Sequence, residues 1–125
     1  MVLMFGVTDE EPSTTGLALE GFAELLDSGA TLIDVRRAYE FEAGRIAGAR
    51  NIEMNELTVA AEQIPRDRPL LFYCRRGNRS AMAADAFRQA GFDAHHLAGG
   101  IEAWVEAGRP LDPVEGEVRA PLPAA

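Results

Sequence analysis

Residues Leu70 to Phe92 read LLFYCRRGNRSAMAADAFRQAGF. Leu70 to Tyr73 is a short unbroken apolar run, the pattern of a strand buried on both faces. Ser80 to Ala90 is rich in alanine, with Ala83, Ala84, Phe87 and Ala90 on one face of a helix that Gly91 stops. Between them lies Cys74-Arg75-Arg76-Gly77-Asn78-Arg79-Ser80. A strand that runs straight into a helix is half of a parallel crossover unit. Open sheets built from such units gather their sites at the carboxyl ends of the strands, and Cys74 occupies such an end.

The flanking sequence repeats this alternation. Phe22, Leu25 and Leu26 fall at helical spacing within residues 18–27, and Gly29 ends that helix. Thr31 to Val35 (TLIDV) reads as a second buried strand, Arg37 to Ala43 as a short helix closed by Gly44, and Ala49 to Ile52 as a brief strand. Leu57 to Ile64 has helical character up to Pro65. Ala94 to Leu97 reads as another strand, and Ile101 to Ala107 as a last helix before Gly108 and Pro110. The expected fold is a small α/β domain of about five mainly parallel strands with helices on both faces. It occupies residues 17–110, between a leader (1–16) and an irregular, partly mobile tail (111–125).

Composition narrows the function classes. The chain has 125 residues, 47% of them hydrophobic and 26% charged, which suits one globular domain. The formal charge of −8 disfavours nucleic acid and anionic membrane surfaces as partners. The apolar run Val2 to Val7 lacks a basic flank and is too short to span a bilayer, so a soluble cytoplasmic protein is expected. The single cysteine excludes an internal disulfide and a cysteine-rich zinc site. No cofactor and no metal are expected.

A lone cysteine is either a small buried hydrophobe or a reactive thiol, and its neighbours must decide. Here the loop stands at a helix N-terminus, where unpaired N–H groups and the helix dipole attract an anion. Gly77 and Asn78 can take the positive φ angles that curl a loop into an anion-binding nest. Arg75, Arg76 and Arg79 add fixed positive charge. These features point to a negatively charged sulfur at position 74.

Three blocks carry a resemblance to a known family: LIDVRRAYEFEAGRIAGARNI (Leu32 to Ile52), the Leu70 to Phe92 stretch, and LAGGIEAW (Leu97 to Trp104). In order and spacing they resemble the rhodanese family of sulfurtransferases. The resemblance implies that Cys74 is the nucleophile. It would take the outer sulfur of thiosulfate or a similar donor as a persulfide and pass it to cyanide or a thiol, with thioredoxin and glutathione among the thiols to test. The backbone of Arg75, Arg76, Gly77, Asn78, Arg79 and Ser80 would bind the substrate sulfur. The spacing Cys74 to Arg79 is Cys-x4-Arg. Phosphatase and arsenate-reductase relatives carry one residue more, in the pattern Cys-x5-Arg, which disfavours those activities. The rival readings are a relay module that receives its persulfide from a partner protein and a noncatalytic interaction domain. One departure from the family pattern is Gly44-Arg45-Ile46-Ala47-Gly48-Ala49, where Arg45 replaces histidine and Ala47 replaces proline.

Other residues have plainer roles open to them. Asp34 and Arg36 match the family's Asp-Val-Arg. They read first as a pair that pins a strand end, with Arg36 also a candidate for binding the donor. Glu40 reads as a partner for an arginine. His95 and His96, being adjacent on a strand, face opposite ways and cannot easily share an ion. Trp104 reads as core. Gly99-Gly100 is expected to let the chain pass close to the cysteine loop.

Overall fold

The computed structural model describes residues 14–122, so the Val2 to Val7 run lies outside the described residues. Among the described residues, five strands form one sheet in the order β1-β5-β4-β2-β3, with every pairing parallel. They are β1 (Gly16–Leu17), β2 (Thr31–Asp34), β3 (Arg50–Asn51), β4 (Leu70–Tyr73) and β5 (Ala94–Leu97). The helices are α1 (Leu19–Asp27), α2 (Ala38–Ala43), α3 (Leu57–Ala60), α4 (Asn78–Gln89) and α5 (Gly100–Glu106). This is the α/β architecture expected from the alternating pattern. The edge strand β1 has too few residues to leave an apolar pattern, so Gly16, expected in the leader, instead pairs with β5.

The central strand β4 shows why its sequence has no polar residue. Leu70, Leu71, Phe72 and Tyr73 all have zero exposure. Successive side chains leave a strand on opposite faces. Leu70 and Phe72 enter the cluster beneath α3 and α4, with Ile33, Val35, Leu57, Ala83 and Phe87. Leu71 and Tyr73 enter the cluster beneath α1 and α5, with Phe22, Leu97, Ile101 and Trp104. Phe72, Phe87 and Phe92 pack in sequence as tilted rings at centroid distances of 5.1 and 4.9 Å, and Trp104 meets Phe22 edge-on at 6.5 Å. The same alternation sends Cys74 to the α4 side, where it joins the first cluster.

The edge strand β1 is held by His96 of β5. The Thr15 hydroxyl donates to Asp85 of α4 (2.9 Å) and lies 3.1 Å from His96 Nδ1, and the Thr15 carbonyl accepts the His96 N–H (2.9 Å). His96 is buried as expected for one of the pair, while His95 is only half-buried and pairs with Asp93. Burial lowers the His96 pKa from its ordinary value, and the Asp85 charge opposes that shift only in part.

Beyond α5 the chain is irregular but laid against the domain. Arg45 and Asp112 exchange two backbone hydrogen bonds (3.1 and 2.8 Å), and Glu117 donates its N–H to the Ala43 carbonyl (2.9 Å). Leu111 and Val118 pack on the α1/α5 cluster. Arg45, the residue that departs from the family pattern, lies over the Phe41 ring at 4.8 Å and pairs loosely with Asp112 at 3.8 Å.

The Gly99-Gly100 expectation is met at the start of α5. Gly100 has φ +64°, and a Cβ there would lie 2.6 Å from the Cys74 carbonyl oxygen and overlap the Arg75 carbonyl as well. Gly100→Ala is therefore expected to destabilise the fold by about 2–4 kcal/mol, read as a lowered urea midpoint with an unchanged slope. His96 yields a prediction in pH. Its folded pKa lies below the ordinary 6.5, so above that value the ring is neutral in both states and costs nothing. As pH falls below 6.5 the unfolded chain takes up the proton first, and stability drops. Urea titrations between about pH 7 and 5 should show this decline in the wild type and a flatter profile in His96→Gln.

Candidate active site

The site is built at the junction of β4 and α4. Because β4 places Cys74 on the α4 side, its Sγ faces the first turn of that helix. The Gly77 N–H donates to Sγ at 3.1 Å and the Ser80 N–H at 3.4 Å, while the Ser80 hydroxyl lies 3.3 Å away. Gly77 stands at the α4 N-cap with φ +112°, a left-handed conformation that is costly for any residue with a Cβ. This turn brings N–H groups separated by three residues onto one sulfur. Cys74 is 1% exposed, and Ser80 is fully buried. The sulfur is thus sheltered, yet it faces donors rather than hydrocarbon alone, an arrangement that suits negative charge on sulfur.

The loop is held from behind by α5. The Ile101 N–H donates to the Cys74 carbonyl (2.9 Å) and the Glu102 N–H to the Arg75 carbonyl (3.1 Å). In a trans peptide the C=O and N–H point in opposite directions. The N–H groups of Arg75 and Arg76 are therefore turned away from α5.

The three loop arginines are engaged elsewhere than the sulfur. Arg75 and Arg76 both pair with Glu102 of α5, at 2.8 and 3.4 Å. Arg79 pairs through both terminal nitrogens with the two carboxylate oxygens of Glu40, at 2.9 and 3.3 Å. Glu40 is fully buried, and it also accepts the Arg37 N–H at 3.1 Å, so the arginine partner expected for it is Arg79. Burial opposes the Arg79 charge, but the hydrogen bonds and charge of Glu40, with a contribution from Cys74, leave its pKa raised. Asn78 opens α4, and its place in the loop is set by the Gly77 turn.

Arg36 has zero exposure and is clasped by Asp34, whose Oδ2 accepts from Nη2 at 2.7 Å and whose Oδ1 accepts from Nε at 3.0 Å. Nη2 also donates to the Gly44 carbonyl at 2.7 Å, and the guanidinium carbon lies 5.6 Å from the centroid of the Tyr73 ring. The strand-pinning pair is the arrangement seen, and Arg36 has no surface from which to meet a donor in solution. Burial works against its charge, but Asp34 holds its pKa above the usual value. Tyr73 is pushed well above its ordinary pKa by burial and by Asp34, so its hydroxyl remains a neutral partner to the Ile46 N–H at 3.0 Å.

A pocket of about 300 Å³ opens beside the loop, lined by Val35, Arg37, Glu53, Met54, Asn55 and Arg79. Val35 and Arg79 tie it to the cysteine. Strand register pairs Asp34 with Tyr73, so the next residues along, Val35 and Cys74, stand side by side on the same face of the sheet. The sequence reading missed Arg37, Glu53, Met54 and Asn55, since nothing local links them to the loop.

Comparison with known proteins agrees with this fold. Residues 18–107 match the model of the rhodanese-like domain. The chain is 35% identical over 102 residues to the thiosulfate sulfurtransferase GlpE of Pseudomonas aeruginosa, covering 81% of this chain and 92% of that protein. It is 42% identical over 76 residues to the uncharacterised protein YqhL of Bacillus subtilis, covering 60% of each. Among solved structures, a rhodanese-related protein from Thermoplasma volcanium superposes with a TM-score of 0.71 at 32% identity, covering 77% of this chain and 95% of that one. No helix among the described residues is long and apolar enough to cross a membrane. The irregular segment from Leu111 onward, which braces residues 43–45, lies past the end of the family match. Over the matched span, the chain belongs to the family of rhodanese-like domains.

Proposed function

We propose that the protein is a sulfurtransferase that carries sulfane sulfur on Cys74, with thiosulfate or a similar small anion as donor and a thiol or cyanide as acceptor. The observation that supports this reading most strongly is the convergence of the Gly77 and Ser80 N–H groups on Cys74 Sγ. The likeness to a thiosulfate sulfurtransferase over most of both chains adds to it.

The chemistry runs as two displacements. The Cys74 thiolate attacks the outer sulfur of thiosulfate. A bond forms between Sγ and that sulfur as the donor's own sulfur–sulfur bond breaks, and sulfite leaves with the electron pair. The acceptor then attacks the outer sulfur of the persulfide, and Cys74 departs as thiolate. In both steps negative charge passes through Sγ and its neighbour. The Gly77 and Ser80 N–H groups are already aimed at Sγ, so little reorganisation is needed there as charge develops.

The loop arginines serve this reading through the shape of the loop. Ion pairs with Glu102 and Glu40 tether the Arg75 and Arg76 side chains to α5 and the Arg79 side chain to α2. Two carboxylates against three guanidiniums leave the loop's own side chains net positive, enough to draw a small anion toward an otherwise acidic chain.

Thiosulfate treatment of the folded protein should add the mass of one sulfur atom at Cys74, and cyanide should remove it. Cys74→Ser should keep its circular dichroism spectrum, gain no sulfur and lose transfer by at least about a thousandfold. A wild type that stays unlabelled would end the assignment. Ser80→Ala keeps both N–H donors and removes one hydroxyl. Transfer should fall by about tenfold, equivalent to about 1.4 kcal/mol in the barrier, and an unchanged rate would leave the amides as the sole donors. Slow turnover of thiosulfate beside rapid sulfur uptake from a protein persulfide would move the assignment to a relay module.

A further inference from the structure

We propose that Arg37 selects the sulfur acceptor, favouring thiols that bear a carboxylate at the end of an apolar chain. The proposal rests on the Cys74 persulfide reading and concerns its second step.

The pocket beside the loop has a volume of about 300 Å³, within the range of small organic ligands and far larger than thiosulfate needs. Its surfaces differ in character. Val35, 1% exposed, and the half-buried Met54 offer hydrocarbon. Arg37 and Arg79 offer positive charge, and Asn55 offers an amide. An acceptor that reaches sulfur on Cys74 from this side passes Val35, the register neighbour of the cysteine. The rest of the molecule then extends along Met54 toward Arg37.

Arg37 is the cation free to bind. Its side chain is 65% exposed, and it pairs with Glu53 through Nε, at 3.3 Å. Its two Nη groups donate no hydrogen bond among the described residues. Arg79, in contrast, spends both Nη groups on Glu40. The two carboxylates nearby do not cancel this preference. Glu40 is fully buried. Glu53 has one oxygen on Arg37, and its other accepts the Ala38 N–H at 2.7 Å, which fixes Arg37 against the α2 N-terminus. The exposed edge of a guanidinium fits a carboxylate with two parallel hydrogen bonds. On a chain of net charge −8, a cation at the pocket rim adds to the net positive charge of the loop in favouring an anionic thiol.

The test isolates the acceptor step. The protein is loaded with thiosulfate, loading is verified by mass, and single-turnover transfer to mercaptohexanoate is compared with transfer to mercaptohexanol. These share chain length and thiol and differ in the terminal group, so their ratio within one variant cancels any general loss of activity. The wild type should favour mercaptohexanoate by about three- to fivefold, falling in high salt. Arg37→Gln should bring the ratio close to one, and Arg37→Lys should restore part of it. A wild-type ratio of one or below, or a ratio unchanged in Arg37→Gln, overturns the proposal. Failure of the wild type to load would instead strike the persulfide reading, and this inference with it. Normal loading with no carboxylate preference would strike this inference alone.

Discussion

The loop depends on where two carbonyl groups point. The carbonyls of Cys74 and Arg75 face the first N–H groups of α5, and the chain can approach that closely only because residue 100 has no side chain. With those oxygens satisfied behind the loop, its following N–H groups are free to turn the other way. The left-handed turn at Gly77 completes the curl and starts α4. The donors at Cys74 thus come from peptide geometry. They are positioned by two glycines that stand far apart in sequence, one in the loop and one at the start of another helix. A buried sulfur with donors on one side and the Ile33, Val35 and Phe72 side chains on the other is shielded from bulk water, where the same hydrogen bonds would be weaker.

Electrostatics around the sulfur follow from this economy. Each loop arginine has a carboxylate partner, so side-chain charge shapes the loop more than it contacts the sulfur. Beneath the loop, the Asp34–Arg36 pair is fully buried. Such a pair contributes little net stability, since both ions lose their hydration, but losing either partner would strand a charge in the core. What it supplies is position. Arg36 reaches the Gly44 carbonyl, and Tyr73 meets the Ile46 N–H, so the segment after α2 is tied to β2 and β4. The segment beyond residue 111 braces that same region from outside, through Asp112 on Arg45 and Glu117 on Ala43. α2 in turn carries Glu40, and Glu40 holds Arg79. A chain of contacts therefore runs from the C-terminal segment to the edge of the pocket beside the cysteine loop.

The sheet connects this frame to chemistry. Parallel register places Val35 beside Cys74, and the path after β2 then brings Arg37 to the rim of the same pocket. The turn that carries Glu53, Met54 and Asn55 closes its far side. One strand end thus carries Cys74, and its neighbour carries Val35 into the wall of the pocket beside it. This is the usual advantage of building a site at the carboxyl edge of a parallel sheet.

The sequence by itself determined the alternation of strands and helices, and it marked Cys74, at the end of β4, as the centre of the proposed site. These are local matters: apolar runs, helical spacing, and a glycine and asparagine after a cysteine carry their meaning within a dozen residues. It also made Glu40 a partner for an arginine and Gly100 a point of close approach, but only as roles, with the arginine partner of Glu40 unnamed. Tertiary structure alone decided that this partner is Arg79, that Arg75 and Arg76 share Glu102, and that Arg36 is sealed in the core. It alone formed β1, brought Thr15 to His96 and Asp85, and laid the segment after Leu111 against Arg45. The physical reason is common to all of these. An ion pair, an edge pairing of two residues and a docked irregular segment draw their energy from groups that are remote in sequence. Nothing in the local pattern marks them until the sheet has brought those groups together.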